Sequence, residues 1–210
     1  MVLHLVSRHL RHSVGAGLLS VIALSLSACA EPLASTTSHV VVQPRVELLS
    51  GGSKSLNYTP WYIHTWELAG PAGTKIGGGG PNVMPVHEDG GPSGGAKETC
   101  CTSYPLDWQP DLRLTLRWLV FKDVKRLGAK APGNWYKAEN VRIAKYDGRQ
   151  SGGVWAIFLP GDKVRLMIAD GNSSGGNDLN HRPPDNDPYI VQGVRDDEWN
   201  RRYRDGGNGQ

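Results

Sequence analysis

Cys100 and Cys101 stand side by side in the stretch ETCCTSYPLDW, and the only other cysteine of the chain is Cys29. Two adjacent thiols can form a vicinal disulfide that braces a loop, or they can pack as small hydrophobes. Neighbouring Cα atoms lie about 3.8 Å apart across a trans peptide, below the roughly 4.4 to 6.8 Å usual for a disulfide, so a bridge requires local distortion. A dithiol redox enzyme spaces its cysteines C-x-x-C, which this chain does not do. Other groups match chemical motifs only on paper. Gly171-Asn172-Ser173-Ser174-Gly175 fits G-x-S-x-G, but a nucleophile elbow must open a helix, and Pro183-Pro184 follows instead. Asp170, Asn172, Ser174 and Asp178 fall at calcium-loop positions with Gly175 between them, yet position 12 is His181 rather than a bidentate Glu. The glycine run before Lys97 lacks G-K-[ST]. Asp178, Asp185 and Asp187 would need a metal to act as an acidic centre, and His39, His64, His87 and His181 are scattered. No catalytic residue and no cofactor is expected, and the chain is read as a non-enzyme.

Cys29 decides how the other two cysteines are counted. Residues 1 to 13 carry Arg8 and Arg11 and no acid, and Val14 to Leu26 form an apolar run of 13 residues. That run is too short for a membrane-spanning helix of about 20 residues, and it reads as a signal peptide. Leu26-Ser27-Ala28-Cys29 follows directly and resembles the bacterial lipoprotein signal, which implies cleavage before Cys29 and acylation of its sulfur. Two or three acyl chains anchor a protein far more firmly than one, at about 0.8 kcal/mol per buried CH₂. With Cys29 lipidated, Cys100 and Cys101 have only each other, in an oxidising cell envelope where disulfides persist. A vicinal bridge acting as a rigid loop staple is the expectation. Ala30 after the lipidated residue, rather than Asp, points to the periplasmic face of the outer membrane.

The leader holds two of the 23 basic residues and none of the 20 acidic ones, so the remainder is nearly neutral and offers little to nucleic acid. The chain divides into a leader (1–28), a lipidated cysteine with a flexible tether (29–55), one β-rich domain (56–205) and a disordered tail (206–210). Such a tether of about 24 residues reaches roughly 25 to 30 Å, although Leu48-Leu49 could begin an edge strand. TPWYIHTWELAG alternates, placing Tyr62, His64, Trp66 and Leu68 on one face, with His64 read as a sheet histidine. The stretch from Thr74 to Cys101 is punctuated by glycine and reads as irregular. DLRLTLRWLVFKD alternates cleanly as a half-buried antiparallel strand, and NWYKAENVRIAKY is its plausible neighbour. VWAIFL and KVRLMIAD flank Pro160-Gly161-Asp162 as a hairpin. VRDDEWNRRYRDGG has acids early and arginines late, the charge order of a short terminal helix with Trp199 and Tyr203 on one side. The fold expected is mainly β, an antiparallel sheet or sandwich with long Gly-rich loops and a short C-terminal helix.

The order NYTPWYIHTWEL, IGGGG, GGAKETCC, YPLDWQPDLRLTLRW, NWYKAENV, VWAIFLPGDKVRLMIADG resembles a family of uncharacterised bacterial envelope lipoproteins over roughly residues 56 to 190. That family carries a W-x-P-G-L strand and a Pro-Asp-Gly hairpin; here Asp111 replaces the glycine and Pro160-Gly161-Asp162 permutes the turn. The resemblance implies no catalytic residue. Because some members lie beside lipase-type toxins of the type VI secretion system, it implies an immunity protein whose partner is such a toxin. Long loops on a sheet scaffold usually carry function. The loops from Gly77 to Thr99 and from Gly171 to Pro188 are therefore the expected contact surface, with Trp61, Trp66, His87, Asp178 and His181 as candidate partner-binding residues. A structural or glycan-binding envelope lipoprotein is the competing reading.

Overall fold

The computed structural model describes residues 46–123, 133–172 and 177–206, with side chains described as far as Tyr203 at the C-terminal end, all within the compact unit Pro44–Gln210. Cys29, the leader, most of the expected tether, Ser174 and the tail beyond Gly206 lie outside the described residues. Eleven strands form one sheet: β1 (Leu48–Asn57), β2 (Tyr62–Ala69), β3 (Gly77–Gly80), β4 (Ser93–Gly94), β5 (Thr99–Pro105), β6 (Leu114–Phe121), β7 (Asn134–Val141), β8 (Val154–Leu159), β9 (Lys163–Ile168), β10 (Ile190–Gln192) and β11 (Val194–Arg195). Among the described residues one α-helix, α1 (Asp197–Gly206), follows. The mainly β reading with a short C-terminal helix is what the structure shows.

The sheet runs in the order β10-β9-β8-β1-β5-β3-β2-β6-β7-β11, with β4 beside the end of β1, and it curls until it nearly closes as a barrel. Residues 190–195 join its two margins. β10 pairs with β9 (Ile190↔Arg165), the chain kinks at Gly193, and β11 pairs with β7 (Val194↔Lys137). A Cβ at Gly193 would overlap the Trp118 indole and crowd the Asp162 carbonyl, which accepts the Gly193 N–H at 2.8 Å. Most of the ladders are antiparallel, as expected. β1 and β8 are the exception and run parallel (Ser53↔Val154 to Asn57↔Phe158), because β8 returns after the long excursion through β2 to β7.

Three expectations need correction. Residues 48–55, assigned to the tether, form most of β1, which sits between β5 and β8. The strand signal there is masked by Ser50, Gly51, Gly52 and Ser53, small residues chosen by packing: Ser53 and Ser55 are fully buried and face the interior. The segment read as irregular contains β3, a strand made only of glycine. Gly78 lies against Thr102, whose Cα would be 2.6 Å from an added Cβ, and at Gly80 the flat ring of Trp66 fills the place of a side chain. Glycine is required here by close approach rather than by a turn. Finally, the register of β2 against β6 shifts between Ile63 and Thr65. This bulge at His64 turns Ile63, Trp66 and Leu68 inward and leaves His64 exposed, so Tyr62 and His64 do not share the face of Trp66.

The interior is filled by Trp66, Leu116, Trp118, Phe158, Leu166 and their neighbours. It also holds a polar seam. The Trp66 Nε1–H donates to Ser55 Oγ at 2.8 Å, and Asn57 donates to the Trp61 and Met84 carbonyls at 2.7 and 2.8 Å while accepting from Thr59. Each buried polar atom in this seam therefore has a partner, which keeps the cost of burying it low. β8 and β9 are covered on both faces. Outside the barrel, Trp155, Ile157, Leu159 and Met167 form a second cluster beneath Leu179 and Ile190. Arg165, 1 % exposed, sits on that same outer side and pairs with Asp187 at 2.8 Å.

Candidate functional site

The barrel has two ends. At one, Val46 enters β1, and the 70–76, 106–113 and 142–153 connections gather there. At the other, the residues after Asn57, the 81–98 segment, Lys122 and the 160–162 turn come together. The candidate residues divide between these ends and the wall.

The end away from Val46 carries a ring of aromatic and cationic groups. Tyr62 lies opposite Phe121 in the β2–β6 register, and the bulge swings His64 beside them, giving ring centroids 5.9 to 6.0 Å apart among the three. On the inner side of the sheet at the same end, Lys122 stands over Trp61 at 3.9 Å and over Tyr136 at 4.6 Å, and it bonds Asp162 at 2.8 Å. Partial burial opposes the charge on Lys122 most strongly, but Asp162 and Tyr136 outweigh it and hold its pKa above the ordinary lysine value. The cation is thus fixed between two ring faces, where it locks the edge of the patch. Met84, 55 % exposed, and the exposed His87 extend the same end. His87 Nε2 lies 3.5 Å from Ser93 Oγ, which donates instead to the Pro85 carbonyl, so the pair is not an activated nucleophile.

Trp61 and His87 are accordingly at the surface. Trp66 is not: it is 1 % exposed with its N–H consumed by Ser55, and it is a core residue rather than a contact residue. Asp178 and His181 pair at 2.7 Å on the outer wall, away from the patch, and the hydrogen bond from His181 holds the Asp178 carboxyl below its ordinary pKa. The 177–189 segment is mainly a cover, bound to the wall through Leu179 and the Arg165–Asp187 pair. Asp185 is held by Arg182 at 2.7 Å, so Asp178, Asp185 and Asp187 each have a separate partner and do not converge.

Asp170 is buried and uses its carboxylate as a loop clamp, accepting from the Asp147 N–H and the Asn172 N–H at 2.9 Å each. Among the described residues no group of three His, Cys, Asp or Glu side chains comes together to hold a metal ion. Cys100 and Cys101 lie side by side at the exposed start of β5, with their sulfur atoms facing each other. They therefore sit on a strand rather than in a loop, and they are exposed rather than packed in the core.

Sequence reasoning missed the meeting of Tyr62 with Phe121, because some 60 residues separate the start of β2 from the end of β6 and only the register brings them together. It also missed a groove of about 1000 Å³ at the Val46 end, floored by Leu48, Ile76, Trp108 and Leu112. Trp108 is fixed there by its N–H, which donates to the Ile143 carbonyl at 2.9 Å. No helix among the described residues is long and apolar enough to cross a membrane.

Neither the curated proteins nor the solved structures contain a match to this chain. A family model does match, over residues 56–166, from the last turn of β1 to the middle of β9, and it spans the glycine strand, the cysteine pair and both walls of the aromatic patch. The chain belongs to that family, described as a protein of unknown function (DUF3304).

Proposed function

We propose that the chain is an envelope lipoprotein, anchored through acylated Cys29, that binds and neutralises a lipase-type toxin delivered by a type VI secretion system. The reading is supported by the aromatic and cationic groups of the barrel end opposite Val46, with Tyr62, His64 and Phe121 on the outer side of the sheet and Trp61 and Lys122 on the inner side. Aromatic anchors fixed on a rigid scaffold are what a tight protein interface uses, and such a surface needs no chemistry of its own. An anchor at one end and a binding surface at the other stations an inhibitor where a phospholipase attacks, at raised local concentration. The Gly77 to Thr99 segment contributes Met84 and His87 to this surface, whereas the 171–188 segment belongs to the wall.

The test is co-purification of the full chain with the toxin encoded beside it, together with survival of cells expressing both. Trp61→Ala combined with Met84→Asp should abolish capture and protection while leaving the far-ultraviolet circular dichroism unchanged. Retained capture by that variant, or retention of the wild type on peptidoglycan in place of the toxin, overturns the proposal. The second result would instead favour a glycan-binding envelope protein.

A further inference from the structure

We infer that the groove at the Val46 end is a membrane-seating site that takes the lipid surface of the bilayer to which the chain is anchored. The inference rests on the anchored reading above and adds a second, non-covalent contact to it. Val46, 44 % exposed, stands on the rim of the groove, 17 residues after Cys29. That length spans at most about 60 Å when fully extended, at ~3.3–3.6 Å per residue, and its far end is Val46 on the groove rim. The floor is apolar, from Leu48, Ile76, Trp108 and Leu112. The rim is made by Pro71 and Pro110, exposed residues without an N–H to strip of water. Trp108 presents its ring to the groove with its only donor already satisfied inside the protein. An indole at such a boundary is favoured at the membrane interface.

Charge distinguishes this site from an anionic-lipid patch. The lining carries Lys75 against Glu47 and Asp111, and the neighbouring Arg113 spends its guanidinium on the Pro110 and Leu112 carbonyls at 2.9 and 3.1 Å. Without a net positive field the groove has no long-range attraction to phosphate, so its seating must come from apolar contact and be insensitive to salt. A few buried side chains hold a lipid surface weakly, and the covalent anchor makes this weak contact intramolecular. The consequence is orientation: the groove end is turned to the lipid and the aromatic patch to the periplasm.

The full acylated chain, reconstituted into vesicles of phosphatidylethanolamine and phosphatidylglycerol with brominated acyl chains, provides the test. Bromine quenches nearby indoles, so the wild type should lose tryptophan emission, and Trp108→Phe should remove that quenchable component. Leu112→Asp should abolish quenching of Trp108. Since Leu112 also touches the core, Pro110→Asp on the exposed rim serves as the second variant and should do the same. Raised salt should leave the signal unchanged. Equal quenching of wild type and Trp108→Phe, with Cys29 acylated by mass, overturns the groove and leaves the anchor standing. An unmodified Cys29 overturns the anchor and this inference with it, and loss of quenching in salt replaces apolar seating by headgroup attraction and likewise overturns it.

Discussion

Gly80 and Trp66 act as one packing unit, since the ring occupies the volume where a Cβ at position 80 would stand. Gly80→Ala must therefore push the indole out of place or break its 2.8 Å bond to Ser55, and either disturbs the centre of the interior. Overpacking of this kind costs about 1 to 3 kcal/mol, with the lost hydrogen bond adding to it. Denaturant unfolding of Gly80→Ala should show that loss, while Gly152→Ala, where an added Cβ would meet nothing closer than 3.4 Å and the backbone is not left-handed, should be affected far less. These residues also show what a sequence conceals. Trp66 reads as half of an alternating face that includes Tyr62 and His64, but a bulge is invisible to periodicity, and it transfers Tyr62 and His64 to the outside. The four glycines carry no hydrophobic pattern at all. Their strand is specified by the residues they touch, Trp66 and Thr102, and those contacts are distant in sequence.

Helix α1 was legible because its signals are local: acids in the first turn, arginines in the last, and an aromatic pair on one side. The structure adds the residue that starts it. Asp196, 4 % exposed, accepts the Trp199 N–H at 3.0 Å as the helix cap and receives Arg117 from β6 at 3.0 Å. Arg117 in turn lies over the Trp199 ring at 4.7 Å, and Trp199 and Tyr203 meet Trp135 edge-on at 6.0 and 6.2 Å. Burial works hardest against ionising Asp196, but the Trp199 N–H and Arg117 prevail, and its pKa is lowered from the ordinary 3.8. A depressed carboxyl contributes stability that is complete above its unfolded value and disappears as the pH falls through the folded one. Asp196→Asn keeps an N-cap but loses the ion pair. The wild type should exceed it by about 1 kcal/mol at neutral pH, and the difference should close below pH 3.8, measured by urea unfolding across the acid range. The β8–β9 hairpin was equally readable, since its turn and both strands are contiguous. β1 was not, because its small residues look like linker until β5 and β8 enclose them.

For the whole molecule, the element inventory could be read from the chain, but the closure of the sheet could not. No local pattern marks Ile190 to Arg195 as the seam, because its meaning lies in partners at Lys137 and Arg165. Gly193→Ala would set a methyl into the Trp118 ring at the point where the seam kinks. Amide hydrogen exchange should then quicken in β7 and β9, while the β1–β5 pairing stays protected. Under the proposed envelope anchoring, the same seam has a consequence for export. A chain that threads through a translocation channel must remain unfolded while it passes, and here the stitch that completes the barrel lies 25 residues beyond one margin and 57 beyond the other. Until that stitch is in place, the earlier strands form only an open, twisted ribbon, so on that proposal the order of delivery would keep the polypeptide pliable during passage and firm on arrival.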